Sequence, residues 1–360
     1  MRQQEQINSQ LVVLAREFRG LSQTALAEKA GVTQSAIAQL EIGNTGAIGE
    51  DKFIKIAAAL FFPIDFFYSS ESRLGFGSSS YFYRKKMTKA SERSYVSGVV
   101  NLSRMNLSEM LKYVDIDATQ KVPKFPLFED SSPEQIANQV KAAWNVPDAP
   151  IENLTLLMER AGIVIIESPF GTNSIDGTSL WLNNLPPIIF INNSLPPDRY
   201  RFTLAHELAH LVMHDLPTET MEDEADAFAS ELLMPSQLFK ANLMAISNGR
   251  ISLRHLFQMK PYWKVSVASM IMKLKKYGRD KECTSLNILM SKYGYRLSEP
   301  QPFPKEKPML FRKVLEACLS NYHNTEDASE KMFNLFIEDF KRLYGAFLPA
   351  EQPKLRLVVS

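Results

Sequence analysis

The chain has 360 residues, 45% of them hydrophobic and 22% charged, which is enough for two or three domains with cores of their own. Its formal net charge is +1, and no run reaches the roughly eighteen consecutive apolar residues that a membrane helix needs, so no membrane partner is expected. The polar start MRQQEQINSQ is unlike a signal peptide, and Cys283 and Cys318 stand in no paired motif; the expectation is two reduced thiols in a cytoplasmic protein.

The stretches INSQLVVLAREFRG (7–20), LSQTALAEKA (21–30) and TQSAIAQLEIG (33–43) read as short helices. Ser22 and Thr33 are good N-caps, and Gly31 ends the second helix in the left-handed conformation that glycine accepts without strain. Leu26, Ala30, Val32, Ile37 and Leu40 are spaced to pack the second and third helices together, and DKFIKIAAALF and PIDFFYS continue an all-α helix-turn-helix bundle over 1–68. This segment resembles the Xre-like family of repressor-type DNA-binding domains. The resemblance implies operator DNA as a partner, with the helix after Thr33 in the major groove. By that resemblance Gln34, Ser35 and Gln39 face bases, while Gln23 and Thr33 hold phosphate.

Charge is unevenly spread, with nets of −1 over 1–68, +4 over 69–93, −10 over 94–251 and +8 over 252–360. A helix-turn-helix of net −1 lacks the cations that supply most non-specific affinity for DNA, so a bundle used for protein contact stays open. The basic run YFYRKKMTKASER (81–93) either supplies the missing charge or is a solvated linker behind GFGSSS. Residues 69–130 form a basic linker and helical connector, with helix expected over 94–125 up to the turn-rich VPKFPLFEDSSPEQ.

From 131 to 250 the alternation is that of an α+β domain. Ser132 before Pro133 starts a helix through EQIANQVKAAWNV, IENLTLLMERAG is a second helix, and IVIIES and PPIIFINN are strands. The strand PPIIFINN feeds the metal-binding helix described next and is expected to accept an extended peptide by edge pairing.

The stretch RFTLAHELAHLVMHD (201–215) holds three of the chain's five histidines. On a helix His206 and His210 share a face with Glu207 beside them, the H-E-x-x-H arrangement in which two imidazoles bind zinc and the glutamate serves as general base. A third ligand must come from elsewhere, and MEDEADAFASELLMP (221–235) offers Glu222 and Asp226, one to reach the metal and the other to orient a histidine. RFTLAHELAH, Glu222 to Asp226 and FASELLMP together resemble the ImmA/IrrE family of metallopeptidases, relatives of the gluzincins, over about 133–235. The resemblance implies a zincin-like fold, one zinc on His206, His210 and Glu222, Glu207 as catalytic residue, and endopeptidase activity on a repressor-type protein. Manganese, iron and cobalt fit the same ligands. Helical phase agrees on the ligand: at about 100° per residue Glu222 lies about 50° from the inward direction of Ala225, Phe228, Ala229, Leu232 and Leu233, and Asp226 about 90°, whereas Glu224 and Glu231 lie roughly 110° and 130° away on the other side. Glu219 precedes the helix and is a weaker rival. An additional oxyanion donor is expected, but the sequence does not name it; Tyr200 is merely near in sequence.

Residues 251–360 read as a mostly helical extension without assignable chemistry. WKVSVASMIMKLKKYG (263–278) is expected as one helix with Val265, Val267, Met270, Ile271 and Leu274 in the core; KLKKYGRDK is a solvated helix end, and His255 and His323 are structural. No Gly-rich phosphate loop is present. The expectation is a multidomain DNA-binding regulator fused to a zinc endopeptidase that cleaves a repressor-type partner or itself. A transcription factor whose zinc domain is a sensor or structural module is the alternative, and a homodimer is left open.

Overall fold

The computed structural model describes residues 6–71, 73, 81–82, 89–127, 131–247, 249–296 and 298–348. Among them no helix is long and apolar enough to cross a membrane. The chain divides into two compact units, one of Met1–Arg73, Ser97–Asp115 and Phe311–Ser360, the other of Leu74–Val96 and Ile116–Leu310. GFGSSS and residues 83–88 of the basic run lie outside the described residues.

The first unit opens with α1 (Ser9–Phe18), α2 (Gln23–Ala30), α3 (Gln34–Glu41) and α4 (Glu50–Leu60). The side chains of Ser22 and Thr33 accept from Ala25 N and Ala36 N at the starts of α2 and α3, and Gly31 closes α2 at φ 67°. These are the caps expected from the sequence, and Leu26, Ala30, Ile37 and Leu40 are buried between the helices. α5 (Ala90–Met110) contributes its part from Ser97 onward to this unit. It crosses α1 so closely that a Cβ on Gly98 would lie 2.4 Å from Phe18 N, a distance only glycine permits. The helix is shorter than expected: 114–118 are not helical, because Asp115 and Asp117 are poor helix formers and the chain heads into a stretch broken by Pro123 and Pro126.

The second unit holds a four-stranded sheet of order β1-β3-β4-β2, made of β1 (Tyr81–Phe82), β2 (Val164–Ser168), β3 (Gly177–Leu180) and β4 (Ile188–Asn192). β2 and β4 run parallel with Val164 opposite Ile188, while β3 is antiparallel to β4 and to β1. β4 is therefore an interior strand and offers no free edge to a peptide, contrary to the expectation. Every residue of β4 is buried, and its unbroken apolar run is the pattern of a strand covered on both faces. α6 (Pro133–Ala143) starts in a capping box formed by Ser132 and Gln135, and α7 (Leu154–Arg160) is capped by Asn153. α8 (Pro197–Met213) lies on β3 and β4, and α9 (Met221–Leu233) packs between α8 and α6.

α10 (Ser236–Ile246), α11 (Leu253–Trp263), α12 (Val267–Lys275) and α13 (Asp280–Lys292) complete this unit. The single helix expected over 263–278 is broken in two: Lys264 is left-handed at φ 52°, with Nζ donating to Glu152 O at 2.7 Å, and Ser266 caps α12. Val265, Val267, Met270, Ile271 and Leu274 are all buried, as their spacing predicts. α14 (Leu310–Leu319), α15 (Thr325–Lys331) and α16 (Ile337–Tyr344) carry the chain back into the first unit, where Asn106 Nδ2 donates to Tyr344 OH at 2.7 Å and Arg19 pairs with Asp339. Both cysteines are buried and free.

Candidate metal centre

α8 brings His206, Glu207 and His210 onto its face toward β3 and α9, and each is at most 1% exposed. His206 Nε2 and His210 Nε2 face one another at 3.0 Å. From α9, the Glu222 carboxylate approaches them at 3.6 Å and 3.7 Å, so one oxygen and two imidazole nitrogens converge within 4.8 Å. The fold thus brings together the two histidines of the H-E-x-x-H stretch and the carboxylate that helical phase points inward. Asp226, one turn further along α9, meets His206 Nδ1 at 3.0 Å, on the side of the ring away from His210.

The electrostatics fit a cation. Burial opposes charge on His206, yet the carboxylates of Asp226, Glu222 and Glu207 outweigh it and push the imidazole up to about 9. Burial and the neighbouring His206 and His214 hold His210 well below its usual range, in the neutral form that ligates. Glu207 is completely buried, neither carboxylate oxygen has a hydrogen-bond partner, and burial pushes the group up to about 8 against the pull of His206. One oxygen of Glu222 is also unpartnered. Buried polar atoms left so, beside two converging imidazoles, match the needs of a dication and a water.

β3 forms the opposite wall. Gly177 lies so close that a Cβ there would meet Glu207 Oε1 at 3.2 Å and Thr203 Cγ2 at 2.9 Å. A pocket beside the cluster is lined by His210, His214, Leu211, Ser179, Trp181 and Lys124. Lys124 sits 4.7 Å over the Trp181 ring and pairs with Asp215 at 2.8 Å. Tyr200 is fully buried, with the Lys305 ammonium 4.5 Å over its ring and Glu167, Glu306 and Glu159 among the charges around it. Those neighbours are not the residues of the cluster, so Tyr200 has no place there as an oxyanion donor.

Two further residues join the cluster: His214, to which the sequence reading gives no role, and Glu224, which it sets aside as a metal ligand. His214 Nδ1 lies 2.9 Å from His210 Nδ1, and His214 Nε2 lies 3.0 Å from Glu224 Oε2. The sequence does carry a signal for them: His214 repeats the four-residue step of His206 and His210, and Glu224 stands on α9 beside the two acidic residues already named. Glu219, the rival ligand, is not in the cluster. Glu231 faces elsewhere, accepting from Ser236 N at 2.8 Å and pairing with Lys273 Nζ at 2.8 Å.

In the first unit, the residues expected to meet DNA lie on and before α3. Gln34 and Ser35 are exposed at its first turn. Gln34 Nε2 donates to Gln23 Oε1 at 2.8 Å, Gln23 Nε2 donates to Glu41 Oε2 at 2.8 Å, and Glu41 accepts from Arg16 Nε at 2.6 Å. That chain of bonds presents two glutamine amides, at the starts of α2 and α3, already oriented. Thr33 is committed to its cap, and Gln39 Oε1 accepts from Asn44 Nδ2 at 3.1 Å.

A helix carrying two facing histidines and a buried glutamate against a small mixed sheet, with a carboxylate from the next helix, defines a metallopeptidase-type domain. Residues 158–275 match the peptidase family described as the IrrE N-terminal-like domain, and residues 14–67 match the helix-turn-helix family. The chain thus carries an ImmA/IrrE-type domain behind an XRE-type helix-turn-helix, as the resemblance implied. No curated protein matches the chain.

Proposed function

We propose that the protein is a DNA-binding regulator whose second unit hydrolyses a peptide bond in a repressor-type protein partner. The observation that carries this reading is Glu207, a fully buried carboxylate with no hydrogen-bond partner beside His206, His210 and Glu222. A purely structural metal site is closed by its ligands and has no use for such a group, whereas a hydrolase needs a base there. His206, His210 and Glu222 would hold zinc, which would supply Lewis acidity for the attacking water and for the charge that develops on the scissile carbonyl oxygen. Glu207 takes a proton from that water as its oxygen adds to the carbonyl carbon. When the C–N bond breaks, Glu207 returns the proton to the leaving amine. Asp226 keeps His206 in place, and the walls of β3 and α9 exclude bulk water around Glu207, so its basicity is set by the cluster.

On the first unit, Gln34, Ser35 and Gln39 read base edges while Gln23 and Thr33 contact phosphate, and the basic run after the bundle adds cations that the bundle lacks. The test of the enzymatic reading is Glu207→Gln in the full chain, incubated with zinc and a helix-turn-helix repressor as substrate. Metal content by mass spectrometry should match wild type, while cleavage falls by about 100- to 10,000-fold, the usual share of a general base. Fragments formed at the wild-type rate by this variant would refute the mechanism. Metal bound with no cleavage by the wild-type chain would favour a sensor or structural role for the domain.

A further inference from the structure

The third histidine of the 201–215 stretch has work to do at the metal centre, and the inference rests on the centre proposed above. His210 Nε2 faces His206 Nε2 at 3.0 Å and Glu222 at 3.7 Å, so it is the nitrogen a shared ion takes. A ligating imidazole nitrogen carries no proton, which puts the one proton of neutral His210 on Nδ1. That atom lies 2.9 Å from His214 Nδ1. Two ring nitrogens at this distance form a bond only when one has a proton and the other does not. His214 Nδ1 must then be bare, and its own proton must sit on Nε2.

Glu224 makes this the favoured arrangement. His214 Nε2 is 3.0 Å from Glu224 Oε2, and an ionised carboxylate can only accept. The other Glu224 oxygen accepts from Thr220 Oγ at 2.6 Å, which pins the carboxylate in turn. In the reverse arrangement His214 turns a bare Nε2 toward the carboxylate, its Nδ1 proton must go to His210 Nδ1, and His210 Nε2 is left protonated and unable to ligate. With both imidazoles neutral, only one placement of protons satisfies every bond from Thr220 to His210, and it is the one that leaves His210 ready for metal. His214 is 6% exposed, so bulk water is poorly placed to substitute for either bond.

We infer that His214 and Glu224 are positioning residues that fix the tautomer and ring orientation of His210, as Asp226 does directly for His206. The two histidines then have different supports: His206 meets a carboxylate at once, and His210 meets one through a second imidazole. The rival explanation is a structural tether between the end of α8 and the start of α9. The two differ in what His214→Gln does, since its side-chain carbonyl can still accept from His210 Nδ1, whereas His214→Leu offers no acceptor.

The experiment is a titration of zinc against a competing chelator in the full chain, with metal-free thermal unfolding measured in parallel and the visible spectrum of the cobalt(II) form as the signature of ligand geometry. His214→Leu should bind zinc about 10- to 100-fold more weakly, the usual effect of losing an outer partner of a ligating histidine. Glu224→Ala should lose less, and His214→Gln should recover most of the affinity and the wild-type cobalt spectrum. Glu224→Ala keeps the test alive should His214→Leu fail to fold, since that carboxylate is 20% exposed. If His206→Ala loses zinc while folded His214→Leu and Glu224→Ala bind like wild type, the positioning role is overturned and the centre stands. Zinc affinity that tracks only metal-free stability, with His214→Gln no better than His214→Leu, also overturns it. Should His206→Ala keep wild-type affinity, the centre itself is misplaced and both readings fall.

Discussion

Gly177→Ala tests how closely β3 must approach the cluster. The added methyl would sit 2.9 Å from Thr203 Cγ2, 3.2 Å from Glu207 Oε1 and 3.3 Å from Glu207 Cγ. The first distance is too short for two carbons, and Thr203 is 1% exposed on a helix packed on all sides, so it has little room to yield. Overpacking of this kind costs about 1–3 kcal/mol of stability. The contact with Glu207 acts on chemistry instead, because moving a catalytic group by about 1 Å can cost about 100-fold in rate. The two effects separate in a double variant. Thr203→Ser removes the methyl at 2.9 Å and leaves the glutamate contact, so Gly177→Ala with Thr203→Ser should regain much of the unfolding midpoint in urea and stay slow in peptide cleavage. Zinc affinity should change little throughout, since no ligand is touched. A Gly177→Ala chain as stable and as active as wild type would show that β3 does not confine Glu207.

Three other outcomes are expected. Burial tends to raise Glu231, but the Lys273 ammonium and Ser236 outweigh it and hold the carboxyl below its ordinary 4.5. A lowered folded value means stability that is fully present above that ordinary range and is lost as pH falls through the lowered one. The urea midpoint of Glu231→Gln should therefore trail wild type by a constant gap above about pH 5 and converge with it below; a gap independent of pH would refute the pairing. Gln34→Ala should relax preference at one base pair of an operator selected from random DNA, by about 1–3 kcal/mol in a gel-shift series, whereas equal losses on every sequence would make Gln34 a backbone contact. Replacing Lys85 and Lys86 by Gln in the full chain should reduce the slope of log affinity against log salt by about 0.9 for each phosphate no longer neutralised, and an unchanged slope would assign the run to a linker.

What can be read from the sequence follows the range of the interactions. His206, Glu207 and His210 sit within one turn and a half of helix, so a four-residue step is enough to place them together. Glu222 and Asp226 belong to another helix, yet the apolar residues of α9 fix which way that helix faces, and phase does the rest. His214 and Glu224 use the same two helices but meet at the outer side of an imidazole, and a phase that points α9 at the metal says nothing of that side. The caps at Ser22, Thr33 and Ser132 are legible for the same local reason as the histidines. The first unit is another matter: its segments near residues 18, 98, 106 and 344 are joined by contacts such as Gly98 on Phe18 and Asn106 on Tyr344, and no local pattern announces a pairing across 238 positions. The break at Lys264 is hidden by apolar spacing that runs straight through it, although Ser266 carries the capping signal.

α8 shows why fold and site cannot be separated in this domain. From Thr203 to Met213 every residue is buried, so the helix has no solvent face and its sequence shows little amphipathic contrast. Leu204, Ala205, Leu208, Leu211 and Val212 belong to the hydrophobic core, while His206, Glu207 and His210 occupy the remaining arc. Polar groups at such depth are destabilising unless each finds a partner. α9 supplies those partners in register: Asp226 for His206, Glu222 for the space between the two rings, and Glu224 for His210 by way of His214. Neither oxygen of Glu207 receives a hydrogen bond from the protein. Asp226 and Glu224 thus bond the outer sides of the histidines while Glu207 keeps both oxygens without a partner, and Glu207 is the group to which the proposed chemistry assigns the proton.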